Sequence, residues 1–194
     1  MIILIKDIIQ SIKYGPHLRT LESGQVKYLK GNAFGDDYDL TLFKDSYASQ
    51  ELEKHLLKEK DILVAGKGYR NFAWTYVNEA GPCIASSTFY VIKVKEDEVL
   101  PEYFTLLINS PKVQHQMRFL GLGPVTPSIP KNELMNIKIE LPSIPDQKKA
   151  IEIYRSIKTQ IRLQREILEK KLTLQKGLLD LLTTKQMQTN KKVL

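Results

Sequence analysis

Residues 143–182 read SIPDQKKAIEIYRSIKTQIRLQREILEKKLTLQKGLLDLL, and no proline follows Pro145. A proline and an acid in the first turn are a good helix start. Apolar residues then recur in steps of three and four at Ile151, Tyr154, Ile157, Ile161, Leu168, Leu172, Leu179 and Leu182, with Gln164 and Gln175 interrupting the stripe. That spacing predicts one long helix of coiled-coil type. About 40 residues at roughly 1.5 Å each make it roughly 60 Å long. A globule built from the preceding residues cannot cover such a rod. No second long helix is evident in the sequence, so a partner chain is the economical cover for the stripe; folding back over its own domain is the other way. Gly177 sits inside the helix at a cost of roughly 1 kcal/mol against alanine. The expected organisation is a domain over 1–142, the helix over 143–186 and a frayed tail over 187–194.

Upstream the pattern changes. Short apolar runs alternate with turn signals: 25–29 before Gly31-Asn32, 61–64 before Gly66-Lys67-Gly68, and 74–77 before NEAGP. Residues 84–94 read as one long strand and 137–141 as another, because they are rich in β-branched and aromatic residues. Helical spacing occupies 5–12, 49–58, 102–107 and 112–119. The fold class is therefore α+β, a mainly β-centred domain followed by one long coiled-coil-forming helix.

Composition narrows the function classes. The single cysteine, Cys83, excludes a disulfide framework and a cysteine-based zinc site, and it suits a reducing, cytoplasmic compartment. The apolar N-terminal run ends at Lys6, too short for a membrane span. The net charge of +7 falls on residues 146–194, which hold 12 Lys and Arg against 5 Asp and Glu; residues 1–145 hold 17 of each. Much of that excess belongs to the polar face of a helix, where charge is ordinarily solvated.

Enzyme readings fail on spacing. Gly66-Lys67-Gly68 lacks the Walker spacing, and Asn71 stands where a dinucleotide fingerprint needs its third glycine. His17, His55 and His115 lie in no metal-ligand spacing, and no metal site is expected. Asp146 and Glu169 lie about 35 Å apart on one helix and cannot share an ion. No Asn-Pro of an adenine-methyltransferase motif occurs. Ser86 and Ser87, in a strand candidate without a base, are expected to serve a sheet.

The ordered segments KDILVAGKGYRNFAW, CIASSTFYVIKV, LPEYFTLLINSP, GPVTPSIPKNELMNIKIELPSIPDQKKAI and KGLLDLL resemble one half of a specificity (S) subunit of a type I restriction–modification enzyme. The resemblance implies a target-recognition domain that binds double-stranded DNA, followed by a conserved helix. Full-length members carry two such units whose helices pair antiparallel; this chain has one. It is therefore expected to act as a homodimeric half-subunit, paired through the stripe named above and reading a bipartite palindrome. The helix would also dock methyltransferase (modification) subunits, and a restriction/translocase subunit would complete the assembly. S-adenosylmethionine, ATP and magnesium would belong to those partners; this chain would bind no cofactor and hold no catalytic residue. Alternatives are a detached S-like chain of a combined restriction–methylation enzyme, and a coiled-coil scaffold whose head binds protein.

On this reading the 66–71 loop faces nucleic acid. Lys67 and Arg70 suit phosphates or a guanine edge, Asn71 an adenine edge, and Tyr69 a base or sugar. Lys13, Tyr14, His17, Arg19, Lys30, Asn32, Arg118, Thr126, Ser128 and Lys131 are expected nearby. The acidic clusters Asp36-Asp37-Asp39 and Glu96-Asp97-Glu98 should lie off that face.

Overall fold

The computed structural model describes residues 2–35, 38, 40, 47–48, 53–120 and 127–190, with side chains as far as Thr183. The chain forms two compact units, Met1–Ile151 and Glu152–Leu194. The fold is α+β, with sheets in the N-terminal part and a long C-terminal helix.

The first unit is built on a four-stranded antiparallel sheet of order β2-β9-β6-β7, comprising β2 (Ile9–Tyr14), β6 (Ile62–Ala65), β7 (Ala73–Thr75) and β9 (Phe89–Val94). Its central strand β6, ILVA, is a continuous apolar run because both faces are covered. Ile62 and Val64 pack with Ile92, Val94 and Phe104 on one side, and Leu63 and Ala65 pack with Phe72, Phe89 and Val91 on the other. Three helices, α2 (Pro101–Asn109), α3 (Pro111–Leu120) and α4 (Lys131–Met135), supply buried residues to the first of these cores. A second sheet, β3 (Thr20–Leu21), β5 (Tyr47–Ala48), β4 (Lys27–Leu29) and β8 (Cys83–Ala85), supplies Leu29, Cys83 and Ala85 to the other; β4 and β8 run parallel. A two-stranded ladder joins β1 (Ile2–Leu4) to β10 (Lys138–Glu140).

The edge of the central sheet at β7 is closed by a side chain. Asn109 accepts from the Ala73 amide at 2.8 Å and donates to the Ala73 carbonyl at 2.9 Å, imitating a strand partner. Unpaired edge groups would otherwise invite another chain. Pro101 at the first helical position presets α2, whose buried face carries Phe104 and Ile108.

Three expected elements differ. Residues 5–12 are not one helix: α1 (Ile5–Ile8) is a single turn, and β2 begins at Ile9. Asp7 opens the turn by accepting from the Leu4 amide at 2.9 Å. A register shift between Ile9 and Ser11 then adds a residue to the strand, so Ile9 and Ile12 fall three apart and imitate helical spacing. Residues 84–94 are two strands in different sheets, divided by a turn at Ser86–Thr88 in which Ser86 and Thr88 join their hydroxyls at 2.7 Å. In the 49–58 stretch the described part is a 3-10 turn, Glu53–His55, and residues 49–52 lie outside the described residues.

The long helix, α5 (Ile144–Asn190), starts inside the first unit. Gln147 is fully buried there. Its amide accepts from the Leu100 amide at 2.9 Å and donates to the carbonyls of Glu98 and Pro142 at 3.0 Å each. One side chain thus ties the chain leaving β9, the chain leaving β10 and the first turn of α5. Gln147→Leu is expected to destabilise the protein by about 3 kcal/mol in urea unfolding, because each buried polar group left unpaired costs roughly 1–3 kcal/mol.

Candidate nucleic-acid interface

The turn at Ser86–Thr88 gathers loops from four places in the chain. The Thr88 carbonyl accepts from the amides of Gly66 at 3.0 Å and Lys67 at 3.3 Å. The Ser86 amide donates to Leu29 at the end of β4 (2.8 Å), and the Gly15 amide donates to the Phe89 carbonyl (3.1 Å). The Pro127–Ile129 segment is laced to the 66–68 loop: Gly68 donates to Pro127, Ile129 donates to Gly66, both at 2.8 Å, and Lys67 bridges Ser128. Two glycines permit this crowding. A Cβ on Gly15 would lie 2.2 Å from the Ala85 carbonyl oxygen, and one on Gly66 would lie 2.3 Å from the Tyr90 ring. Gly68, at φ +107°, adopts a conformation that favours glycine for a different reason.

Around this turn stand several of the residues singled out from sequence. Tyr14 and Tyr90 meet ring to ring, centroids 4.7 Å apart, with their hydroxyls 3.1 Å apart. Tyr90 donates to the buried carbonyl of Ile129 at 2.7 Å. Burial, and then the Tyr14 hydroxyl, hold the Tyr90 phenol above its usual range, so it stays a proton donor. The exposed Lys67 holds its ammonium 6.0 Å from the Tyr14 ring centroid. Lys13, next in β2, donates to the Lys54 carbonyl at 3.3 Å. Burial, Lys54 and Lys13 together push the His55 imidazole below its usual range, which keeps it neutral at pH 7.

A second group adjoins the first through Leu29. The Tyr28 hydroxyl donates to Pro16 at 2.7 Å and accepts from the Leu18 amide at 3.0 Å, pinning the loop that presents His17 and Arg19, both exposed. Lys30 lies 5.9 Å from the Tyr28 ring centroid and 3.4 Å from the Thr20 hydroxyl, and Asn32 is exposed in the next turn. The Glu96–Glu98 cluster lies beyond the opposite end of β9, about 25 Å from Thr88 at roughly 3.3 Å per residue. There Glu96 pairs with Lys60 at 2.6 Å and Glu98 with Lys95 at 3.2 Å. The acidic positions 36, 37 and 39, like Thr126, lie outside the described residues.

Two residues expected to read DNA have partners within the chain, although Arg70 stays exposed and Asn71 half-buried. Arg70 donates to the carbonyls of Phe34 (3.3 Å) and Gly35, with its guanidinium 5.6 Å from the Tyr38 centroid and 5.3 Å from that of Phe72. It ties Phe34, Gly35 and Tyr38 to the core residue Phe72. Asn71 gives its amide to the Ala65 carbonyl at 2.9 Å, closing the turn. Tyr69, 82% exposed, points outward. Lys131 opens α4 three residues after Ser128. Arg118 stands apart from the turn, lining a hollow of about 770 Å³ with Ile2, His115 and Lys138.

In the second unit, α5 exposes Tyr154, Ile157, Ile161, Leu168, Leu172, Leu179 and Leu182 as the periodicity predicts. Ile151 is buried and belongs to the first unit. Six more large apolar residues, Ile153, Leu163, Ile167, Leu174, Leu178 and Leu181, are also exposed and form a second stripe beside the first.

Residues 3–172 match the family model described as the type I restriction modification DNA specificity domain. The chain belongs to that family. The fold is similar to three solved structures. One is the type I restriction-modification S subunit from M. genitalium, at TM-score 0.62 and 12% identity, covering 84% of this chain and 40% of that one. Another is the HsdS subunit from Thermoanaerobacter tengcongensis, at TM-score 0.64 and 15% identity, covering 86% and 44%. The third is a chain from a structure on complex assembly and conformational transition of the type I R-M system, at TM-score 0.59 and 15% identity, covering 91% and 43%. The specificity-family chain thus spans less than half the length of each. No curated protein matches it. No described helix is long and apolar enough to cross a membrane.

Sequence reasoning about this specificity-family chain missed Thr88, Tyr90, Tyr28 and Gly15, the residues that hold the loops in place. Tyr90→Phe removes the bonds to Ile129 and Tyr14. It is expected to cost about 1–2 kcal/mol and to speed amide exchange at Gly68 and Ile129 while leaving Ile92 in mid-sheet protected.

Proposed function

We propose that this chain is a sequence-reading subunit of a type I restriction–modification system, working as a homodimer on a bipartite palindromic DNA site. The observation that carries the reading is the exposed apolar stripe of α5 in a chain spanning less than half of the solved subunits it resembles. Two copies joined along such stripes restore a pair of recognition units, and a two-fold homodimer is the commonest closed assembly. Each unit then reads the same half-site, and the paired helices set the spacer.

At each half-site the loops around the Ser86–Thr88 turn face the duplex. Lys67, Lys13, Lys30 and Arg19 supply phosphate contacts, and Tyr14, Tyr69, His17 and Asn32 supply groove and base contacts. Arg70 and Asn71 shape the loop rather than read from it. With few phosphates neutralised, the isolated chain binds DNA weakly. The second stripe on α5 takes helices of the modification subunits. Those subunits carry the S-adenosylmethionine chemistry, and the restriction/translocase subunit uses ATP and magnesium. The chain itself contributes recognition and assembly in the cytoplasm.

Light scattering tests the dimer: a mass near twice 22.3 kDa is expected for the wild type, falling to the monomer in Leu168→Asp. A wild-type monomer would assign the stripe to a different chain and remove the palindrome. For the interface, Lys67→Ala is expected to weaken binding to any duplex and to lower the slope of log K against log salt by about one. An unchanged slope would take Lys67 off the phosphates, and no DNA binding with any partner present would favour a protein-binding scaffold.

A further inference from the structure

The first stripe of α5 is symmetric about one residue. Measured from Leu168, its positions fall at −4, −7, −11 and −14 (Gln164, Ile161, Ile157, Tyr154) and at +4, +7, +11 and +14 (Leu172, Gln175, Leu179, Leu182). The steps run 3-4-3-4 up to Leu168 and 4-3-4-3 after it, so the seam has a stutter at its centre and reads alike from either end. In heptad terms Tyr154, Ile161, Leu172 and Leu179 are a positions, and Ile157, Gln164, Gln175 and Leu182 are d positions. Leu168 is an a from one side and a d from the other.

Resting on the homodimer reading, with the helices antiparallel as the family resemblance implies, we infer that the register sets Leu168 on the two-fold axis. In that register Tyr154 faces the partner's Leu182, Ile157 faces the partner's Leu179, Ile161 faces the partner's Gln175, and Gln164 faces the partner's Leu172. Each layer joins an a position to a d position, the pairing that antiparallel helices require for side chains to interlock. No glutamine faces another, and each of the outer layers is wholly apolar. The flanking charges agree near the axis: Arg165 and the partner's Glu169 oppose each other twice, once on either side of Leu168. Farther out, Lys158 meets the partner's Lys176, a repulsion that the apolar layers beside it offset. All seven apolar members of the seam are exposed in the single chain. At roughly 1.5 Å per residue the seam is about 42 Å long, and the two copies of Glu152 stand about 48 Å apart along it. That distance is the part of the half-site spacing contributed by the helices.

Cysteine cross-linking decides the register without DNA. The native Cys83 is fully buried and does not compete. The double variant Ile157→Cys/Leu179→Cys is expected to form a covalent dimer under mild oxidation and to return to 22.3 kDa on reduction. Ile157→Cys alone is expected to stay uncrosslinked, because its two copies would lie about 33 Å apart, far beyond disulfide reach. Cross-linking of that single variant would establish parallel pairing and overturn the inference. So would preferential cross-linking of Ile157→Cys/Leu172→Cys, which reports a one-heptad slip. A dimer by light scattering that none of these variants links would overturn the register and leave the homodimer standing; a monomer would remove both. The correct cross-link in a chain that ignores palindromic DNA would keep the register and sink the functional reading instead.

Discussion

The buried amide of Gln147 is the constraint on which the first unit closes. It satisfies one donor and two acceptors that no strand or helix can reach, at Leu100, Glu98 and Pro142. Without it, three segments would meet inside the protein with backbone groups unpaired. With it, α5 has a fixed origin, because its first turn is held by the same contacts that fix the ends of β9 and β10. The helix is thus rooted by hydrogen bonds at its start, while from Glu152 to Thr183 its apolar residues lie exposed.

The central sheet solves a different problem. The inner strands β6 and β9 are covered, so what the first unit presents comes from the edge strand β2 and from turns at strand ends. The Ser86–Thr88 turn does this through backbone atoms. Carbonyls and amides of residues 86–89 hold Gly15, Leu29, Gly66 and Lys67, and Tyr90 holds the Pro127–Ile129 segment from beneath. The exposed side chains stand on this frame and are not needed to build it.

Much of this was legible in the sequence because two periodicities are strong. The steps of three and four after Pro145 identify α5, and the four apolar residues before Gly66 identify the strand β6. Other features were hidden for physical reasons. The bulge in β2 spaces its isoleucines as a helix would. The break between β8 and β9 carries no glycine or proline, only two serines and a threonine, of which Ser86 and Thr88 join their hydroxyls. α4, at five residues, is too short to show a period. For Arg70 and Asn71, residue type could not show that backbone carbonyls of Phe34, Gly35 and Ala65 lie within reach. The second stripe on α5 was masked because Gln160 and Lys170 interrupt its spacing.

The dependence of the frame on backbone atoms has a consequence for how such a protein changes over generations. Substitutions at Lys67, Tyr69, His17 or Asn32 leave every bond to the 86–89 turn in place, so these positions are open to drift. Gly15 and Gly66 are closed to it, since any side chain there meets a carbonyl or a ring. A lineage can therefore exchange the outward residues one at a time without an intermediate that fails to fold. Inherited variation should collect on the rim and stop at the two glycines.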